Sequence, residues 1–212
     1  MRSENESARV ASGAEFSVQS YFQTLTRTVQ QLPYTSIQQI IGIIIQAFEE
    51  GRTIFVFGNG GSAATASHVM CDLNKGASSQ GRRLRVMAFT DNVALLTAWA
   101  NDAGYQYVFS EQLKNFVQPG DVVLAISGSG NSASILEGLK TARQAGAITI
   151  GMAGYQGGLM KDLCDVCAVV PSNDIQIVED LHHAIAHSIL TAIKARLHAP
   201  EKAFAAAATA GE

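Results

Sequence analysis

The chain has 212 residues, of which 47% are hydrophobic and 16% charged, and its formal net charge is −3. This composition is typical of a globular protein that buries a sizeable core in one domain, and it argues against nucleic-acid binding, which requires a basic surface. No stretch has the run of about 18 apolar residues that a membrane span needs, so we expect no membrane partner.

Two helices are predicted near the N-terminus. Residues 1–14 are polar and lack the apolar core of a signal peptide, so we expect them to be disordered and the protein to be cytoplasmic. Apolar periodicity then predicts helices over 16–32 and 36–50, separated at Pro33. The second helix is rich in isoleucine and has more apolar surface than one contact face requires. We therefore expect these helices to join subunits.

The rest of the chain alternates strands with helices. Apolar runs predict strands over 53–58, 84–90, 121–127, 148–154 and 167–172. Helices are predicted between and after them, over 92–102, 107–116, 132–145 and 175–198. This alternation indicates an α/β fold, a three-layer sandwich with a mainly parallel sheet. A single domain would span 15–198, and the Ala-rich residues 199–212 are expected to form a flexible tail.

Glycines and serines gather in two loops that follow predicted strands. The first loop is GNGGSA, residues 58–63, and the second is SGSGNS, residues 127–132. Ligands of such sheets bind beyond the carboxyl ends of the strands, and helix N-termini favour anions. The hydroxyls of Ser127, Ser129 and Ser132, together with backbone amides, suit a monophosphate. Two tight turns without a ligand are the alternative.

The first loop alone also fits the G-x-G-x-x-A fingerprint of dinucleotide-binding folds. That fold expects an acidic residue about 20 positions further along the chain. Here Asp91 lies about 30 positions after Gly61. A dinucleotide fold also has no use for a second hydroxyl-rich loop, so the monophosphate is favoured.

Histidines and carboxylates recur at helical spacing. His68 and Asp72 are four residues apart on the helix after the first loop, so their side chains share a face. The last helix carries a similar row, Glu179, His183 and His187. That row lies largely opposite the apolar stripe of its helix, as a solvated face would. His182 borders the stripe and is predicted to be structural.

The three cysteines do not indicate a disulfide framework. Cys164 and Cys167 form a C-x-x-C, which is compatible with a redox pair. They lead into an apolar run without a thioredoxin-like neighbourhood, so we interpret them as half-buried free thiols.

Four segments together resemble the sugar isomerase (SIS) domain proteins and, among them, the phosphoheptose isomerases. They are GNGGSAATASHVMCD, TDNVALLTAWANDAGY, GDVVLAISGSGNSASIL and VPSNDIQIVEDLHHAIAH. The resemblance implies a single SIS domain with flavodoxin-like winding, and a homotetramer with active sites between subunits. It also implies a phosphosugar isomerase of heptose biosynthesis, which would convert sedoheptulose 7-phosphate into D-glycero-D-manno-heptose 7-phosphate.

The resemblance also implies roles for individual residues. The positions at which family members can bind zinc match His68, Asp72, Glu179 and His187. Two imidazoles and two carboxylates are a suitable zinc set, and we expect one ion per subunit. The family's proton-transfer pair corresponds to Asp72 and His187. Its substrate-binding positions correspond to Asn59, Gly60, Gly61, Ser62, Asn101, Asp102, Ser127, Gly128, Ser129, Ser132 and Glu179.

Such groups support aldose–ketose isomerisation through an enediol. A carboxylate would remove the proton beside the carbonyl, while an imidazole or a metal stabilises the developing oxyanion. Asp72 cannot be fully committed to the metal and to proton transfer at once. Either the metal has another arrangement during turnover, or only one of the two roles is real.

Five positions depart from the family pattern. This chain has Asp72 where the family has Glu, Glu179 where it has Gln, Thr65 where it has Asp and Gly128 where it has Thr. The fifth is His183, at a position that is usually apolar, where it could compete as a metal ligand. Other functions therefore stay open: a scaffold that binds the bacterial replication initiator, or an isomerase or sensor for another phosphosugar. The scaffold proteins tend to lack the second histidine of the last helix, so His187 favours the enzyme.

Overall fold

The computed structural model of the protein describes residues 17–79 and 81–197. Two helices come first, α1 (Val18–Val29) and α2 (Tyr34–Glu50). The remaining elements are β1 (Thr53–Gly58), α3 (Gly61–Gly76), β2 (Ser78–Ser79), β3 (Arg82–Arg83), β4 (Arg85–Ala88), α4 (Val93–Asp102), α5 (Ser110–Phe116), β5 (Val122–Ser127), α6 (Ala133–Gln144), β6 (Ile148–Ala153), α7 (Met160–Leu163), β7 (Val166–Val169) and α8 (Ile175–Leu197). The predicted disordered start and flexible tail lie outside the described residues.

Five strands form one parallel sheet in the order β4-β1-β5-β6-β7. Numbered by their order along the chain, these strands run 2-1-3-4-5, which is the flavodoxin-like winding. The direction of winding reverses between β1 and β5, which pair from Ile54 with Val122 to Gly58 with Ile126. The glycine-rich loop follows β1 and the hydroxyl-rich loop follows β5, so both loops lie at the switch point where such sheets bind ligands.

Helices cover both faces of the sheet. Along β1, Ile54 and Val56 join the core under α2, α3 and α8, whereas Phe55 and Phe57 join the core under α4, α5 and α6. Strands buried on both faces have to be apolar at every position, which is why they appear in the sequence as continuous apolar runs. The predicted three-layer α/β sandwich is confirmed. No helix in the described part of the chain is long and apolar enough to cross a bilayer.

The isoleucines of α2 are mostly buried inside the chain. Ile37, Ile40 and Ile44 are at most 6% exposed, but Ile41 is only partly buried and Tyr34 is 53% exposed, so some apolar surface stays open on α2. Helix α1 also carries exposed apolar side chains, with Val18 69% and Phe22 57% exposed. The reason is that α2 packs on both α8 and the sheet, whereas α1 contacts only the outer side of this layer.

Helices α3 and α8 are neighbours on one face of the sheet, and glycines allow their close approach. A Cβ at Gly61 would lie 2.8 Å from both carboxylate oxygens of Glu179 on α8. At the other end of α3, a Cβ at Gly76 would lie 2.5 Å from Cε of Lys194. The polar row of α8 therefore faces α3 rather than standing free in solvent, although the His187 side chain is still 52% exposed.

Candidate functional site

The first loop joins β1 to α3 by a tight turn. A Cβ at Gly58 would lie 2.5 Å from the carbonyl oxygen of Ser62, and Gly60 has a φ of 56°. Asn59 between them donates from Nδ2 to Ser134 Oγ at 2.9 Å, and its Oδ1 accepts from the Tyr105 hydroxyl at 2.8 Å. The loop is thereby held to α6 across the switch point. Tyr105 was not singled out in the sequence, although it ends one of the segments that resemble the SIS proteins.

The second loop presents hydroxyl groups at the N-terminus of α6. Ser127 Oγ accepts from Gly130 N and Ser129 Oγ accepts from Asn131 N, both at 3.2 Å. Each hydroxyl keeps its hydrogen to donate to a ligand. Ser132 is the N-cap of α6, its side chain makes no capping bond, and the first turn carries no acidic residue. The loop is thus a suitable anion site.

Gly128 has a specific neighbour in the second loop. A Cβ at this position would overlap Cδ1 of Ile175, the first residue of α8. A side chain at this position would therefore require Cδ1 of Ile175 to move.

Three histidines and one carboxylate meet between α3 and α8. His68 Nε2 lies 2.9 Å from His187 Nε2, and Asp72 Oδ2 lies 3.3 Å and 3.6 Å from these two nitrogens. His183 completes the group, because one ring nitrogen from each of the three histidines lies within 4.8 Å of the other two. Three imidazoles this close can hold a metal ion. We call His68, Asp72, His183 and His187 the histidine cluster.

Glu179 lies away from the histidine cluster. Its carboxylate packs against Gly61 at the first turn of α3, where the positive end of the helix dipole favours a negative charge. Among the residues that the structure describes, no hydrogen bond or ion pair joins Glu179 to a histidine. The structure therefore unites three of the four residues expected at the metal, and it adds His183.

The two inner histidines of α8 have perturbed pKa values. Partial burial lowers the pKa of His183, and the positive charges of His68 and His187 lower it further, against the opposing effect of Asp72 and Asp180. Burial lowers the pKa of His182 to about 4. Neither ring nitrogen of His182 makes a hydrogen bond of good geometry, although the nearby backbone of Ala153 slightly favours its protonation. His182 is 1% exposed, as a structural histidine would be.

Asp91 is a candidate that sequence reasoning rejected for a nucleotide and did not reconsider. Ser67 on α3 donates to its carboxylate, and Ser67 Oγ lies 3.1 Å from Thr90 Oγ1. This places Asp91 beside α3, one residue along the helix from His68. Its position just after the apolar run of β4 was the available signal.

Asn101 and Asp102 lie at the C-terminal end of α4, and both are exposed. Asn101 Nδ2 donates to Asp102 Oδ1 at 2.8 Å. Among the described residues, neither side chain makes a hydrogen bond to either loop. The nearby Tyr105 supplies the contact of this segment with the first loop.

Cys164 and Cys167 are half-buried free thiols, as expected. They lie under β6, where a Cβ at Gly151 would be 2.8 Å from each sulfur. They are not part of the site at the switch point.

The fold and site define a class: a doubly wound α/β protein with a loop suited to an anion at its switch point and a cluster of imidazoles and a carboxylate between α3 and α8. The SIS domain family matches residues 19–154, and the chain belongs to this family. A phosphoheptose isomerase of a Bradyrhizobium species is 40% identical over 162 residues, 76% of this chain and 82% of that protein. The phosphoheptose isomerase of Crocosphaera subtropica is 36% identical over 164 residues, 77% of this chain and 84% of that protein.

A solved structure is similar as well. That of the phosphoheptose isomerase from Neisseria gonorrhoeae superposes with a TM-score of 0.78 at 29% identity, covering 84% of this chain and 97% of that one. The family and fold that the sequence segments implied are confirmed.

Proposed function

We propose that the protein is a phosphoheptose isomerase that converts sedoheptulose 7-phosphate into D-glycero-D-manno-heptose 7-phosphate in heptose biosynthesis. This proposal rests on one anion-suited loop at the switch point and on the histidine cluster, part of which lies on α3, the helix that begins at the same switch point, in a chain whose relatives bear that name.

The phosphate would bind in the second loop. Ser127, Ser129 and Ser132 offer hydroxyl hydrogens there, at a helix N-terminus without an acidic residue. The N-terminus of α3 is less suitable, because the carboxylate of Glu179 already lies against it. The remaining substrate contacts that we propose, with the sugar, are Asn59, Gly60, Gly61, Ser62, Asn101, Asp102, Gly128 and Glu179.

The proton transfers would use Asp72 and His187. Asp72 takes a proton from C1 of the ketose, and the electron pair forms the C1–C2 double bond of the enediol while O2 gains a proton. C2 then receives a proton and O1 gives one up, which yields the aldose. His187, whose Nε2 lies 3.6 Å from Asp72 Oδ2, would move the proton between the two oxygens. Binding of the phosphate far from C1 would orient the reacting carbons.

We propose zinc as the metal of the histidine cluster, one ion per subunit. Imidazole nitrogens and carboxylate oxygens are donors that zinc takes, and the 2.9 Å separation of the two Nε2 atoms fits two ligands of one ion. His68 and His187 would hold it, and the family resemblance adds Asp72 and Glu179. When bound, zinc would act as a Lewis acid on the carbonyl oxygen.

Three further proposals concern the whole protein. Residues 15–198 would form one SIS domain, because α8 lies beyond the family match yet supplies half of the histidine cluster. A homotetramer with active sites between subunits is supported by the exposed apolar side chains of α1. A cytoplasmic location would suit the substrate, since phosphorylated sugars are made and consumed there.

The test is turnover of sedoheptulose 7-phosphate by the purified protein, followed by NMR, with and without added zinc. We expect the aldose product in the presence of zinc. Tight binding of the phosphosugar without any product would instead favour a sensor. Absence of both, together with capture of the bacterial replication initiator in a pull-down, would favour the scaffold.

A further inference from the structure

We propose that three imidazoles, those of His68, His183 and His187, hold the metal, and that neither Glu179 nor Asp72 is needed to retain it. His183 would take the place that the family resemblance gives to Glu179. The assignment of the ligands stands on geometry alone, whereas the role left to Asp72 rests on the proposed function.

The three imidazole rings lie close enough to share one metal ion. Zinc with ligand nitrogens at about 2.0–2.1 Å in tetrahedral geometry holds those nitrogens roughly 3.4 Å apart. The His68 and His187 nitrogens are 2.9 Å apart, and those of all three rings lie within 4.8 Å of one another. The rings are inclined to each other by 54° to 81°, so they do not stack. Small side-chain rotations therefore suffice to direct the three nitrogens at one ion.

The imidazole of His183 contacts a residue of α3. Nδ1 of His183 lies 3.4 Å from Oγ1 of Thr65, which is buried, and the Thr65 hydroxyl also lies 3.3 Å from the carbonyl oxygen of Gly61. A metal-binding imidazole usually has its other nitrogen held in this way, which fixes the orientation of the ring. With Nδ1 paired, Nε2 of His183 is the nitrogen available to the metal. Thr65 and His183 both depart from the family pattern, and they contact each other.

Neither of the two nearby carboxylates, Glu179 and Asp72, has to bind the metal. Glu179 packs at the first turn of α3 and, within the described chain, makes no hydrogen bond or ion pair to the three imidazoles. Asp72 flanks two of the imidazoles at 3.3 Å and 3.6 Å, which allows ion pairing without a shared metal. Three nitrogen ligands leave a fourth position open, as in catalytic zinc sites. The metal would then stay bound while Asp72 transfers the proton.

The experiment measures metal affinity apart from activity. The metal-free protein is titrated with Co²⁺ and then with competing Zn²⁺, the visible absorption of Co²⁺ is recorded, and folding is checked by circular dichroism. We expect His183→Leu to weaken binding by more than the roughly 10- to 100-fold that loss of an outer partner costs, and Thr65→Val to weaken it within that range. Glu179→Leu and Asp72→Asn are the matched controls. Metal affinity should change less than tenfold in both variants, and Asp72→Asn should lose turnover.

Two results would overturn the proposal: metal affinity that survives His183→Leu, or metal affinity that Glu179→Leu or Asp72→Asn abolishes. If His183→Leu does not fold, His183→Gln serves the same comparison. Failure of the proposed function is distinguishable, because the wild-type protein would then bind Co²⁺ through three imidazoles and still leave sedoheptulose 7-phosphate unchanged.

Discussion

The side-chain amide of Asn59 bonds to Ser134 Oγ at 2.9 Å and so links the loop after β1 to the first turn of α6. The hydroxyl of Tyr105 donates to the other end of the same amide at 2.8 Å. Because both ends of the amide are engaged, its orientation is fixed. The first loop is thereby tied to the first turn of α6, which directly follows the second loop.

We expect Asn59→Ala to lower kcat/KM by roughly 10- to 100-fold, because it frees both loops and leaves Ser134 without its partner at a cost of about 1–3 kcal/mol. Steady-state turnover and phosphosugar titration measure the effect. Tyr105→Phe is the control, since it removes only one of the two bonds and should have the smaller effect. Equal losses in the two variants would contradict the role of the link between the loops.

The serines of the second loop should carry the affinity for phosphate. Ser129→Ala and Ser132→Ala should each weaken phosphosugar binding by about 1–3 kcal/mol, since each removes a donor to a charged group. Calorimetry with the phosphorylated and dephosphorylated sugars measures this difference. Ser17→Ala, which removes the capping box of α1, should leave the affinity unchanged. Equal affinity of the wild-type protein for both sugars would exclude phosphate binding by this loop.

Two glycines with positive φ should differ in what alanine costs. At Gly130, with φ of 65°, a Cβ would overlap the carbonyl oxygen of Gly157, whereas at Gly60, with φ of 56°, nothing lies within 4 Å. Backbone strain alone costs about 1–3 kcal/mol, so Gly60→Ala should lose that much and Gly130→Ala clearly more. Urea unfolding of both variants gives the comparison. A Gly130→Ala variant as stable as Gly60→Ala would contradict the close packing of the second loop against Gly157.

The positions of the sheet strands and both loops of the switch point follow from local signals in the sequence, whereas the winding of the sheet was implied only by the resemblance to SIS domain proteins. Strands buried on both faces are continuous apolar runs, and glycines mark the turns that end them. The short hairpin of β2 and β3 was not predicted, because its Ser and Arg residues carry no apolar alternation. Helix bounds shifted by a few residues, as at α2, which begins at Tyr34.

The parts of the site that could not be predicted depend on contacts through space. From helical spacing alone, His183 belongs to a polar row typical of a solvated face. Its contact with Thr65 of α3, 118 residues away in the chain, is seen only once α8 packs against α3. In the sequence, Gly128 indicates only that the loop lacks a hydroxyl at this position. The structure adds that Cδ1 of Ile175 occupies the space that a side chain there would need. Helical spacing gives the face that a residue shares, but it does not say which element that face meets.

The apolar residues of α1 should take part in assembly. Phe22 is 57% exposed and Val18 69%, and exposed apolar clusters mark interaction surfaces. We expect light scattering to report a tetramer for the wild-type protein and a smaller species for Phe22→Glu. Gln144→Glu, at the end of α6 on the opposite face of the sheet, is the control and should stay tetrameric. A wild-type monomer at micromolar concentration would contradict both the assembly and a site between subunits.

Burial of His182 should make the protein less stable in acid. Its pKa is about 4 in the folded chain, against 6.5 for an ordinary histidine. Between these values the unfolded chain binds a proton that the folded chain does not, so the free energy of unfolding falls as the pH drops from 6.5 to 4. Across this pH range the free energy of unfolding falls by about 3 kcal/mol in total. This contribution is fully present above pH 6.5, the pKa of the histidine in the unfolded chain, and it is lost as the pH falls toward 4. The lowered pKa of His183 acts in the same direction.

Urea unfolding of the metal-free protein from pH 8 to pH 4.5 measures this effect. The free energy of unfolding should be constant at first and then decline as the pH falls. His182→Leu should flatten most of the decline, and His183→Leu only a smaller part. A His182→Leu profile as steep as that of the wild-type protein would show that this histidine is not held neutral in the core.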